Sequence, residues 1–383
     1  MATIRKRALP SGKVVYQCDY RDQNGKRRAK QFDRKKDADA FLVTARAEVR
    51  DGSYIHDAES ITIKKAADLW LEECDARQAA GRQMERSTLT GYKIHVNKHI
   101  CAEETGIGAL KLSRITRLDV IRFRDRLLAG GLSEPTTRKV LTSLKQLLDH
   151  AQTLQYISSN PVDGVKILRT SRVASKITIP SKEGVRAMIA AASEDFRAHL
   201  IVAALCGLRA GESRGLRWED VDFTKGYVHV QQRADRFGEI GEPKSAAGVR
   251  SVPMGPMVAN ALKRWKLRCP KGEMGLVFPN SKGLLLHYSN MWERDFQPLF
   301  DALDAKHEEN PIANPKVARF RWHDFRHFAI SLWIEQGFPP KAIMEFAGHA
   351  NINLTFARYG HLFPSPDHHT GMAEVEKRVF GGA

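Results

Sequence analysis

Alternation of period two opens the chain. Residues 13–20 and 26–32 read as extended segments joined through Asp22-Gln23-Asn24-Gly25, where the Asn-Gly step suits a tight hairpin turn. The spacing then becomes helical. Asp33 stands as a cap and Ala38, Phe41, Leu42, Ala45 and Val49 form one apolar stripe, which Gly52 closes. Residues 1–57 are therefore expected to form a small sheet backed by a helix. From 61 to 160 the stripes are helical throughout: Thr116-x-x-Asp119 is a capping box ahead of Val120, Phe123, Leu127 and Leu128. After Pro135 a second long helix carries Val140, Leu144, Leu147, Leu148 and Ala151 on one face, with Asn160-Pro161 as its stop. A helical domain over 60–163 follows, then a basic linker at 164–176 that is poor in large apolar residues. Beyond it the pattern predicts helices at 183–192, 197–205, 256–269, 323–336 and 340–346, a strand at 227–231 and a hairpin around 244–252. The region 177–383 thus reads as α+β and mostly helical.

Composition sharpens this picture. The 383 residues are 42% hydrophobic, enough for real cores, yet 61 Lys and Arg stand against 44 Asp and Glu for a formal charge of +17. A folded protein for a polyanionic partner is the first hypothesis. The densest positive region is the first 36 residues, so Arg27, Arg28 and Lys30 are expected on a sheet laid against DNA, the alternative being a solvated edge. Lys93, Arg138, Lys139 and Lys145 are expected to grip phosphates from the helical faces, where ordinary solvation explains them equally well. Five scattered cysteines, Cys18, Cys74, Cys101, Cys206 and Cys269, form no C-x-x-C pair. This argues against a disulfide framework or zinc ribbon and fits a reducing cytoplasm. The longest apolar stretch, 200–208, is far below the roughly 20 residues of a membrane span.

Four places set a cation or proton carrier in a definite context. Arg209 and Glu212 stand three apart at the opening of a helical segment after Gly207, which alone reads as a surface ion pair. Lys244 sits near a turn, free to donate a proton or simply to be solvated. His323-Asp324-Phe325-Arg326-His327 lies on a helix whose core stripe is Phe325, Phe328, Ala329 and Leu332, so His323, Arg326 and His327 share an arc of roughly 100° opposite it. The i, i+4 histidines also match zinc-protease spacing, but Asp324 replaces the usual Glu and Arg326 opposes a divalent ion. Last come Gly348-His349, with Gly348 as a helix cap, and Tyr359 ten residues on, followed by His361.

In that order, over 177–378, these elements resemble the tyrosine recombinase family of the integrase type. The middle region resembles that family's core-binding domain, and residues 1–57 its small arm-site domain. The resemblance implies a multidomain fold: an α+β arm-binding domain of three strands and a helix (1–57), an all-α core-binding domain (60–163), the linker (164–176) and a mainly-α catalytic domain (177–383). Phe328 stands where the family often has Thr, a difference of packing. Further implications concern chemistry. Arg209 and Arg326 hold the scissile phosphate, His349 donates a hydrogen bond, and Tyr359 attacks to give a 3′-phosphotyrosine and a 5′-hydroxyl. His323 is the expected base and Lys244 the acid, with Glu212, His327 and His361 in support. No metal or cofactor is expected, since the covalent ester conserves the bond energy. Expected partners are double-stranded DNA at core and arm attachment sites, three further copies of the chain in a tetramer, an excisionase and a host DNA-bending protein. The expected setting is the nucleoid of a bacterial cytoplasm, acting for a prophage or similar mobile element. A type IB topoisomerase, a non-catalytic architectural protein and a metal nuclease are the rival readings.

Overall fold

A computed structural model describes residues 3–22, 25–50, 54, 56, 59–81, 84–167, 177–363, 377–378 and 381. Two compact units divide it, Met1–Arg172 and Val173–Ala383. Gln23, Asn24, Gly52 and most of the expected linker (168–176) lie outside the described residues.

The first unit opens with an antiparallel sheet of Thr3–Ala8 (β1), Val14–Arg21 (β2) and Arg27–Phe32 (β3), covered by the helix Lys35–Arg50 (α1). Cys18, Tyr20, Ala38, Leu42, Ala45 and Tyr54 make its core. Register decides which cations share a face. Cys18 pairs with Ile4 and Lys30, and Tyr20 with Arg28, so Arg28 and Lys30 belong to the helix side. The expected trio is therefore split by strand alternation: Arg27 lies on the open face, where Arg5, Arg7 and Arg21 join it. Lys30 instead places its ammonium 4.6 Å from the centre of the Phe41 ring of α1.

Four helices follow in the same unit: Ile63–Ala79 (α2), Arg86–His95 (α3, continued by the π-turn Val96–Ile100), Arg117–Ala129 (α4) and Glu134–Thr153 (α5). Their core includes Ile63, Trp70, Ile100, Phe123, Val140, Leu144, Leu147 and Leu148. The capping box forms as expected, with Thr116 Oγ1 accepting from Asp119 N and Asp119 Oδ2 from Thr116 N. Helix α5 ends earlier than Asn160, the chain turning where Gln155 takes a φ of 61°. Asn160 acts instead as a clamp. Its buried amide donates to Lys145 O and to Asp149 Oδ1, pinning the return loop to α5.

The second unit is built around Glu194–Cys206 (α7), buried on nearly every side. It follows Lys182–Ala191 (α6) and precedes the short Ala210–Gly215 (α8). Three two- to four-residue strands come next, Val221–Asp222 (β4), Tyr227–Val230 (β5) and Arg233–Ala234 (β6), then Ile240–Gly241 (β7) and Arg250–Pro253 (β8). Strands β4, β5 and β8 form one sheet and β6 with β7 another. The hairpin expected around 244–252 is thus not local. Lys244 lies exposed on a loop before a 3-10 turn at Ala246–Gly248, and β8 pairs back with β5, Val252 against Val228. The remaining helices are Pro256–Lys266 (α9), Tyr288–Asn290 (α10), Gln297–Glu309 (α11), Asp324–Glu335 (α12), Pro340–Ala347 (α13) and Ile352–Tyr359 (α14). Helix α7 terminates at Gly207 with φ 59°, and a Cβ there would come within 3.0 Å of Ala329 of α12. Glycine is needed twice over, for handedness and for the close approach. Among the described residues no helix is long and apolar enough to cross a membrane.

His199 of α7 is buried in an aromatic nest, stacked on Phe278 at 4.1 Å with Trp322 edge-on at 4.7 Å. Its Nε2 lies 3.1 Å from Ser213 Oγ. Burial first, then Arg214, depresses its pKa to about 3 from 6.5. The unfolded chain takes up this proton first on acidification, so stability is lost as pH falls from 6.5 toward 3. His199→Phe keeps the ring and removes the titration. Its unfolding midpoint, followed by tryptophan fluorescence, is expected to fall less across that window than that of the unaltered chain.

Candidate active site

Two helix ends and a strand aim their groups at one pocket. Helix α7 ends at Gly207 and helix α13 at Gly348, both left-handed, and their terminal carbonyls lie free of intrahelical partners. Three guanidinium groups bind there. Arg326 of α12, with 3% of its surface exposed, donates from Nη1 to Gly207 O at 2.9 Å and from Nη2 to Ala347 O. Arg209 donates from Nη2 to Gly348 O at 3.0 Å, and Arg250 of β8 from Nε to Phe346 O at 2.7 Å. Gly348 is forced on the chain by crowding as well as by its φ of 61°. A Cβ there would meet Ala247 O at 2.8 Å.

A single buried carboxylate ties two of these cations together. Glu212 accepts from Arg209 Nη1 at 2.7 Å and from Arg250 Nη1 and Nη2 at 3.1 and 2.8 Å, and Arg209 N adds a bond at 2.8 Å. Burial would raise its pKa, but Arg250 and then Arg209 outweigh it and hold the carboxyl at about 2. Arg326 has only neutral carbonyl partners, and burial, followed by the charges of Arg209 and Arg250, pulls its pKa down to about 9. Arg209 keeps 40% of its side chain exposed, so its guanidinium is the solvent-facing edge of the cluster.

Three imidazoles and a phenol complete the group. His349 is buried with Nδ1 2.9 Å from Thr355 Oγ1, and its pKa falls to about 4 through burial and then Arg326 and Arg209. His323 stands exposed at the start of α12 with no side-chain cap bond, yet its pKa also falls to about 4, burial of its inner side counting most, then His327 and Arg326. Tyr359, the last residue of α14, is 1% exposed and its ring joins the hydrophobic core. Its Oη is buried with it and meets His327 Nδ1 at 2.5 Å. Burial raises the phenol to about 12 against the pull of Arg326 and Arg358.

Arg209, Glu212, His323, Arg326, His327, His349 and Tyr359 are therefore gathered from three separated stretches. Lys244 stands apart on its loop, and His361 is exposed on the 3-10 turn Gly360–Leu362. Arg250 and Thr355 were missed by sequence reasoning. Arg250 was legible in principle: two residues before inward Val252 on one strand, it shares that inward face, so a charge had to enter the core there. Among the expected DNA contacts, Arg28 is spent on Asp22 at 2.8 Å and Glu59 at 2.6 Å with 10% exposure. Lys93 pairs with Asp75 and Lys145 with Asp163. Arg138 and Lys139 are exposed on α5 with no side-chain hydrogen bond or ion pair among the described residues.

Residues 180–365 match the family model described as the phage integrase family. The prophage integrase IntR of Escherichia coli K12 is 31% identical over 327 residues, covering 78% of this chain and 76% of its own. A tyrosine recombinase XerC-like protein of Caldanaerobacter subterraneus is 26% identical over 381 residues, 93% of this chain and 94% of its own. The fold resembles that of the Tn1549 transposon integrase, solved in complex with a circular intermediate DNA. The TM-score is 0.65 at 20% identity, over 83% of this chain and all of that one. With a relative this similar spanning most of both proteins, the chain belongs to the phage integrase family: it is a tyrosine recombinase, a site-specific integrase that breaks and rejoins DNA.

Proposed function

We propose that the pocket between Gly207 and Gly348 receives the scissile phosphate of an attachment site of a mobile element, and that Tyr359 attacks it. The observation that supports this reading is the contact of Tyr359 Oη with His327, one residue from Arg326 on α12, with the Tyr359 ring stacked at 6.4 Å on that of His349. Phosphoryl transfer needs placement and charge neutralisation above all. Arg209 and Arg326 supply both, their forks matching two non-bridging oxygens. His349, held through Nδ1 by Thr355, turns its other nitrogen to the phosphate. Lys244, exposed on its loop and unpaired among the described residues, reaches in to protonate the leaving 5′ oxygen. The product is a 3′-phosphotyrosine, and a second 5′-hydroxyl resolves it without an external energy source. Glu212 and Arg250 hold Arg209 and the Gly348 turn in place.

Around this chemistry, residues 177–383 act as the catalytic domain and 60–163 as the core-site grip, with Arg138 and Lys139 on phosphates. Residues 1–57 read arm sites through the open sheet face of Arg5, Arg7, Arg21 and Arg27, while Arg28 braces the fold. Two duplexes require four cuts, hence four protomers on DNA. An excisionase and a host bending protein would set direction, within the DNA-bearing cytoplasm.

Three outcomes test the reading. Tyr359→Phe is expected to keep binding to an attachment duplex and to form no denaturant-resistant adduct on a nicked one; adduct formation by this variant would end the assignment. Arg27→Ala is expected to lower the slope of log affinity against log salt by about one, while Lys30→Ala leaves it unchanged. Arg250→Met strands a nearly inaccessible Glu212 with Arg209 alone and is expected to cost about 3–5 kcal/mol in urea unfolding. Adding Glu212→Gln should recover part of that loss.

A further inference from the structure

The phenolic proton of Tyr359 must leave before its oxygen can bond phosphorus. With the pKa near 12, the phenol keeps that proton at neutral pH. The neighbouring imidazoles are not equivalent acceptors. Nδ1 of His349 faces Thr355, and its ring lies nearly parallel to that of Tyr359 at 6.4 Å. His323 makes no hydrogen bond to the phenol among the described residues; its ring stands edge-on to that of His327 with centres 5.1 Å apart. Of the three, His327 alone meets the Oη, at 2.5 Å from Nδ1. It is buried on α12, one residue from Arg326, whose two carbonyl anchors fix the helix against α7 and α13.

We propose that His327 is the base of the cleavage step, accepting the Tyr359 proton on Nδ1 as Oη attacks phosphorus. The inference rests on the reading of the pocket given above and deepens it, moving to His327 the role that the sequence had suggested for His323. The Oη–P bond forms and the P–O5′ bond breaks. The phenolic proton passes to Nδ1, leaving an imidazolium, and the departing 5′ oxygen takes a proton from Lys244. On rejoining, the incoming 5′-hydroxyl returns its proton to the neutral Lys244 amine as its oxygen bonds phosphorus and displaces the phenolate, which recovers the proton from His327. Nothing is oxidised or reduced. For Nδ1 to accept, the ring hydrogen resides on Nε2.

The surroundings suit a base. Burial lowers the His327 pKa, Asp324 opposes, and Arg358, Arg326 and Arg321 add to the lowering. The imidazole is therefore neutral at physiological pH, with a carboxylate at hand to balance the imidazolium once formed. Asp324 itself is fixed by Arg321, which donates from N to Oδ2 at 2.7 Å and from Nη2 to Oδ1 at 3.0 Å.

Base and mere holder of the phenol make opposite predictions for His327→Gln, which retains a hydrogen-bond acceptor but cannot take a proton. The probe is a nicked duplex spanning an end of the mobile element, with adduct formation by the full chain followed in a single turnover. His327→Gln is expected to bind this duplex normally in a mobility shift and to form adduct about 10²–10⁴-fold more slowly. Its rate should climb with pH toward phenol ionisation, whereas the unaltered chain loses rate only on acidification as His327 protonates. Placing 3,5-difluorotyrosine, a more acidic phenol, at position 359 should restore at least tenfold of the loss in the variant and change the unaltered chain little. A His327→Gln rate and pH profile like those of the unaltered chain would overturn the inference while the reading of the pocket stands, and so would failure of the fluorinated phenol to rescue. No adduct with the unaltered chain would remove both.

Discussion

Everything in the candidate site depends on how three guanidinium groups are held together without being neutralised. Like charges a few ångströms apart repel by several kcal/mol at the dielectric of a protein interior. One carboxylate, Glu212, joins Arg209 to Arg250. Every other contact of these arginines within the pocket is a backbone carbonyl, from Gly207, Phe346, Ala347, Gly348 or Gly248. Four of those carbonyls belong to the ends of α7 and α13, where the helix dipole concentrates partial negative charge. Partial charges orient a cation and leave most of its field unspent, which is the condition a phosphate site needs. The left-handed glycines at both helix ends are thus part of the electrostatics: they turn the chain so that the last carbonyls face the guanidinium groups.

The consequence for catalysis is pre-organisation. A buried arginine with only neutral partners is under tension, visible in the pull on Arg326 toward a pKa of about 9. In the proposed reaction an arriving phosphate relieves it, and the extra charge that builds on the oxygens during transfer relieves it further. Arg209, open to solvent on one side, is the natural first point of contact, and Arg326 the deeper one.

Much of this was legible before the fold was known, and the reasons for what was not are specific. Helical periodicity placed α5, α9, α12 and α13 through their apolar stripes, and α7 was legible as a nearly continuous apolar run. The spacing of Arg209, Glu212, His323, Arg326, His349 and Tyr359 marked the pocket, because each sits at the end of an element or on one helix face. Long-range pairing was invisible. Nothing local tells β8 to skip the chain before it and join β5, so Lys244 was read into a hairpin and Arg250 was passed over. The basic sheet failed for a simpler reason: Arg27 and Arg28 are neighbours in sequence and so face opposite ways, and only the register shows which of them shares a side with Cys18. His327 looked like a supporting residue because its contact with Tyr359 depends on where α14 returns.

The same cations also divide the labour of proton transfer. Burial lowers His323 and His349 to about 4, and Arg326 and Arg209 add to the shift in both. An imidazole amid arginines is thereby kept from becoming a fourth cation, so it remains able to accept a proton or to donate a neutral hydrogen bond. Burial has the opposite consequence for the phenol, which it raises to about 12, and Arg326 offsets this only in part. One pocket thus makes its histidines better able to stay neutral and its tyrosine slower to ionise. A group that stays protonated next to one that stays unprotonated is an acid–base pair waiting for an electrophile. In the proposed reaction the phosphorus supplies it, because bonding to Oη is what makes the phenolic proton acidic enough to leave.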